Sequence, residues 1–108
     1  MSVLYLRRIF TEGEARGLFS QGREMEDRRK RICLMEYLVR SFDEKNKAWE
    51  FRGENIFVSS CNMLAKDYRA LTNYEEAEKY EAMAKKAERE LAARNPLTKA
   101  LDRFKPLR

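Results

Sequence analysis

The sequence predicts an all-α protein: three main helices in an antiparallel, hairpin-like bundle, with short extra helical segments at both ends. Composition is the first reason. The 108 residues include only four glycines and two prolines, too few for the turns of a sandwich or barrel, while Ala, Glu, Lys, Leu and Arg dominate. Periodicity is the second, since apolar residues recur at three- and four-residue spacing through most of the chain. Size is the third: one domain's length, with 44% apolar residues, carries a modest core and is not the composition of a wholly disordered chain. The expected division is an N-terminal extension over 1–22, a three-helix domain over 23–94 and a basic tail over 95–108.

Residues 2–10 (SVLYLRRIF) read as a short helix. Thr11 followed by Glu14 fits a capping box, but Gly13, Gly17 and Gly22 weaken any helix it opens, so residues 12–22 are expected to be loosely helical or a loop. The first strong helix runs over 23–42, with Met25, Ile32, Met35, Val39 and Phe42 on one face, and Asp43, Glu44, Lys45 and Asn46 break it. A long second helix over 47–71 places Trp49, Ile56, Phe57, Cys61, Met63, Leu64, Tyr68 and Leu71 on one arc. At 100° per residue, Phe51, Val58 and Ala65 form a stripe almost opposite. Gly53 costs such a helix about 1 kcal/mol relative to alanine, which makes a start nearer Gly53 the alternative.

Thr72 is the expected N-cap of a third helix over 73–94, with Glu75 three positions on. Its buried stripe is Tyr74, Ala77, Tyr80 or Glu81, Ala84, Ala87 and Leu91, and the pairs Glu75/Lys79, Glu81/Lys85 and Glu90/Arg94 stand four apart in the favourable order. Small residues on that stripe let a neighbouring helix come close. Asn95 and Pro96 open a short helix through Leu97, Leu101 and Phe104 that Pro106 stops.

Little of this is equipped for catalysis. With no histidine there is no imidazole base, no Ser-His or Cys-His pair and no common zinc set. The four glycines fit neither a phosphate loop nor a dinucleotide fingerprint. No enzyme activity, cofactor or metal is expected. Cys33 and Cys61 lie in apolar stretches and read as buried, reduced thiols of a reducing intracellular compartment, cytoplasmic first and mitochondrial as the alternative. No apolar run is long enough to span a bilayer, and the N-terminus lacks the ordered features of a secretory signal. Two carboxylates stand in apolar settings: Glu36 interrupts the run from Ile32 to Val39, and Asp67 projects toward the apolar arc of the second helix. Each reads as a solvated edge or an internal ion pair rather than a catalytic acid.

The run Arg28, Arg29, Lys30, Arg31 is the most conspicuous charge feature. Glu24, Glu26 and Asp27 stand four residues before Arg28, Lys30 and Arg31, so the run reads first as a self-paired, solvated face and second as a nucleic-acid contact. Most of the net +5 belongs to the tail, where Arg94, Lys99, Arg103, Lys105 and Arg108 alternate with Leu97, Leu101, Phe104 and Leu107. That composition suits docking on an acidic, partly apolar surface, and equally a C-terminal extension that packs its leucines on its own domain.

Two resemblances add to this reading. Cys61 to Tyr68 followed by Asn73-Tyr74-Glu75-Glu76-Ala77 and Ala84 resembles one tetratricopeptide hairpin, about residues 61–88. Leu64, Ala65 and Tyr68 would be its first-helix packing positions and Ala77 the small residue at the helix crossing, with Glu81 departing from the pattern. The resemblance implies a protein-binding helical hairpin. The opening Leu4-Tyr5-Leu6-Arg7-Arg8 is distantly similar to the small, basic LYR proteins of mitochondria, with Leu6 interrupting the tripeptide, and would imply an assembly factor or accessory subunit.

The expected function is that of a non-enzymatic protein-interaction module, an adaptor or structural subunit of a larger intracellular assembly, its partner another protein or a second copy of the chain. Trp49, Phe51 and Val58 are the expected docking patch, and Leu101, Arg103, Phe104 and Lys105 the expected tail contacts. The second reading is a ribonucleoprotein component that uses Arg28, Arg29, Lys30, Arg31 and the tail on phosphates.

Overall fold

The computed structural model describes residues 11–94. The short helices expected over 2–10 and after Asn95, and the tail contacts Leu101, Arg103, Phe104 and Lys105, lie outside the described residues. Within them the chain is four helices packed antiparallel plus a two-strand hairpin, so the all-α expectation holds with one helix more.

Helix α1 (Glu12–Glu24) opens on the expected capping box: Thr11 Oγ1 accepts from the Glu14 amide at 3.1 Å, and the Glu14 carboxylate accepts from the Thr11 amide at 3.0 Å. Three glycines do not loosen it. Ala15, Phe19 and Gly22 form its buried face, and a Cβ on Gly22 would run into Met35 Sδ and stand 3.6 Å from Leu34 Cδ2. Gly22 is thus a packing requirement, the point where α1 and the next helix touch.

That next helix, α2 (Arg28–Ser41), does not continue α1, contrary to the expectation of one helix over 23–42. Asp27 explains the break. Its carboxylate accepts from the amides of Arg29 and Lys30 at 3.0 and 3.2 Å, which satisfies donors that a new helix leaves orphaned, and Asp does that better than it serves mid-helix. Ile32, Met35, Leu38 and Val39 form the buried face of α2.

The expected rod over 47–71 is also divided. After α2, Asp43 Oδ1 accepts from the amides of Lys45 and Asn46, a 3-10 turn comes next (Asn46–Ala48), and strand β1 (Glu50–Phe51) pairs antiparallel with β2 (Glu54–Asn55). Arg52 and Gly53 between the strands both have positive φ, 55° and 83°, as the two central residues of a tight hairpin require. Helix α3 (Ile56–Ala70) starts only after Asn55, whose Oδ1 accepts from the Val58 amide at 2.8 Å while its Nδ2 donates to the Lys47 carbonyl at 2.6 Å. The alternative start near Gly53 is the one the chain adopts, because Arg-Gly makes the turn and Asn makes the cap.

Helix α3 is buried on both of its expected apolar sides: Ile56, Phe57, Cys61 and Leu64 on the broad arc, Val58 and Ala65 on the opposing stripe. Its own chain covers both, most extensively helix α4 (Tyr74–Arg94), then α2 and α1. The cap of α4 is Asn73, whose Oδ1 accepts from the Glu76 amide at 3.3 Å, and not Thr72, which takes a left-handed φ of 60° to reverse the chain. Ala77, Tyr80, Ala84 and Ala87 are buried as expected, whereas Tyr74 is 53% exposed. Around the connector, Phe42 packs on Phe57 and Trp49 at centroid distances of 5.5 and 5.9 Å, and Phe19 meets Phe51 edge-on at 6.2 Å.

Candidate functional site

Two carboxylates organise the polar interior. Asp67, near the C-terminal end of α3, is 3% exposed and receives both Nε and Nη2 of Arg31, each at 2.7 Å, in a fork-on-carboxylate pair. Arg31 Nη1 donates to the Met25 carbonyl in the α1–α2 connection, and Arg28 Nε stands 3.5 Å from Asp67 Oδ1. One buried acid therefore fastens the start of α2 to α3 and to the preceding turn. The hydrogen bonds to Asp67 raise the Arg31 pKa further, against the opposing pull of desolvation.

Glu36 does the same between three helices. Its Oε2 accepts from the hydroxyls of Tyr68 on α3 and Tyr80 on α4, the latter at 3.0 Å, and Arg40 Nη2 lies 3.6 Å from its Oε1. The two phenol rings stack with centroids 5.9 Å apart and planes 3° from parallel. Burial first, then the Glu36 carboxylate, pushes both phenols well above their ordinary value of 10, so they act as neutral donors. Both carboxylates expected from the sequence as edges or internal pairs are thus pairing groups. Apart from Arg40, four residues from Glu36, their partners lie 32 to 44 residues away along the chain, and no local pattern announces those.

The basic run is a solvated face, as expected, with Arg28, Arg29 and Lys30 exposed and Asp27 still acting electrostatically on Arg31, but its main pairing is not the expected one. Asp27 is spent on capping, and Arg28 and Arg31 turn to Asp67, while Arg29 and Lys30 stay exposed. Where α1, α2 and α3 meet, Arg23, Arg28, Arg31, Met63, Lys66 and Asp67 line an open concavity of about 280 Å³. Arg23 also pairs with Glu54, and that guanidinium, with the Ser59 hydroxyl, holds the Glu54 carboxyl below its usual range. Sequence pattern does not single out Arg23 or Lys66, since one lies on α1 and the other on α3.

The expected docking patch is not a patch. Val58 is 7% exposed and belongs to the core, and Trp49 and Phe51 pack half-buried against it. The reason is the broken rod: the hairpin carries Phe51 back onto Phe19, and α4 closes over α3. Cys33, expected to be buried, is exposed, whereas Cys61 is buried with its thiol pushed up by desolvation to about 12. Among the described residues no group of His, Cys, Asp and Glu could hold a metal, and no helix is long and apolar enough to cross a membrane. Compared with protein-family models, curated proteins and solved structures, the chain matches none.

Proposed function

We propose that the chain is a non-enzymatic protein-interaction module, an adaptor or structural subunit of a larger assembly, and that it recognises an acidic segment of its partner through the basic concavity. The observation that carries the reading is the placement of Asp67. Buried behind Arg31 and Arg28, it holds these two arginines of α2 against α3, beside Lys66, so those charges are positioned before a partner arrives. The apolar residues first expected to dock are consumed within the fold, which leaves the charged rim as the built surface. Two free thiols, one of them exposed, support a reducing compartment.

Quantitative cross-linking in the native source tests this, with wild-type chain beside the variant K66E, whose position is exposed. The expected result is loss of partner cross-links with far-ultraviolet circular dichroism unchanged. Equal cross-linking by the folded variant overturns the proposal. The ribonucleoprotein reading draws on exposed Arg29 and Lys30, and it predicts RNA binding whose log affinity falls linearly with log salt.

A further inference from the structure

We infer that the concavity between α1, α2 and α3 is a phosphate-binding site, receiving the phosphoryl group of a phosphorylated segment on a protein partner; this rests on the interaction reading above. Charge is the first ground. Four cations, Arg23, Arg28, Arg31 and Lys66, line a hollow that holds one carboxylate, and that carboxylate is buried behind the arginines. Arg31 is committed to Asp67 and the Met25 carbonyl, and Arg23 shares its guanidinium with Glu54. Arg28, about half exposed, reaches Asp67 only at 3.5 Å, and Lys66 is exposed beside it. A dianion there gains one planar, forked donor and one point charge from separate helices.

Local frustration is the second ground. The first turn of α2 carries Arg28, Arg29 and Lys30 and no acid, so cations crowd the end of the helix where the backbone field is already positive. Asp27 and Asp67 relieve only part of this, and a bound anion relieves more. Geometry chooses the source. At 100° per residue Arg28 and Arg31 share one side of α2, while Arg29 and Lys30 are turned about 100° and 200° from Arg28. The basic run is therefore spread around the helix. A polynucleotide presents a row of phosphates and calls for a row of cations, whereas a single hollow rimmed by Arg28 and Lys66 suits one phosphoryl group.

Nitrogen-15 amide spectra of the full chain test the proposal, with inorganic phosphate and O-phosphoserine as probes and chloride at matched ionic strength as control. Both probes are expected to shift the amides of Arg28, Arg31, Met63 and Lys66, saturably, and on the order of tenfold more weakly in Lys66→Gln. Lys66 makes no contact that holds the fold, so this variant reads the site without the risk that Arg28→Gln carries. Shifts no larger than those from chloride, or equal affinity in Lys66→Gln, overturn the site. Poly(U) binding tighter than O-phosphoserine, with shifts spread over Arg29 and Lys30, overturns the protein partner in favour of nucleic acid. If phosphate fails while K66E still loses its cross-links, the acidic-partner reading stands and the phosphate site alone falls.

Discussion

Arg31 and Asp67 stand 36 residues apart in sequence and are joined by two hydrogen bonds of 2.7 Å, with the carboxylate almost wholly buried. Removing one member of such a pair leaves the other's charge without compensation. Asp67→Ala is expected to destabilise the fold by about 3–5 kcal/mol, and the double variant D67L/R31M by much less, because it leaves only half-exposed Arg28 without its acid, where water can solvate it. Urea midpoints of the two variants check this. A D67L/R31M chain as unstable as Asp67→Ala would contradict it.

Glycines of one helix are expected to respond in opposite directions. At Gly22 the added methyl meets Met35 inside the core, so Gly22→Ala should cost about 1–3 kcal/mol through overpacking. At Gly17 nothing lies within 4 Å of the new Cβ, and Gly17→Ala should stabilise by about 0.5–1 kcal/mol through helix propensity. Thermal unfolding of the two variants separates the roles.

Ser60 is fully buried, and its hydroxyl finds no hydrogen-bond partner among the described residues. Such a group is desolvated without return. Ser60→Ala should therefore leave stability unchanged or raise it, by up to about 1 kcal/mol, where truncation of neighbouring Phe57 should cost about 3–5 kcal/mol. A loss above about 1 kcal/mol in Ser60→Ala would mean the hydroxyl is satisfied.

Thiol chemistry and alkaline stability should track burial. Cys33 is expected to react with a thiol reagent in the native protein and Cys61 only on unfolding, since Cys61 is buried and its pKa is pushed up to about 12. Cys61, Tyr68 and Tyr80 are acids whose neutral forms the fold favours. Their contribution is full below the ordinary values, 9 for the thiol and 10 for the phenols, and is lost as pH rises beyond them. The urea midpoint should fall between about pH 9 and pH 11, and a Y68F/Y80F chain should show a shallower fall.

Local chemistry makes much of the fold legible in the sequence. The Thr11–Glu14 box, the Ala77–Ala84–Ala87 stripe and the two buried sides of α3 come from spacing alone. The illegible parts turn on residues with two uses. Asp27 could extend a charged face or cap a helix, and Arg52-Gly53 could be tolerated in a helix or reverse the chain; in each case the second use satisfies backbone groups that the first leaves no better off. The rim is hidden for another reason. Arg23, Arg28 and Lys66 come from three helices, and only packing brings them together.

The meeting of Tyr68 and Tyr80 at Glu36 also bears on how the molecule assembles. The phenols are 12 residues apart on one local hairpin, whereas the carboxylate must return from 32 and 44 residues upstream. Loop closure of that span is entropically dearer than zipping the hairpin, so the stacked rings are expected to form early and the carboxylate to arrive late. Glu36→Gln should then quicken unfolding while scarcely slowing refolding, the kinetic mark of a clasp that shuts after the rate-limiting barrier.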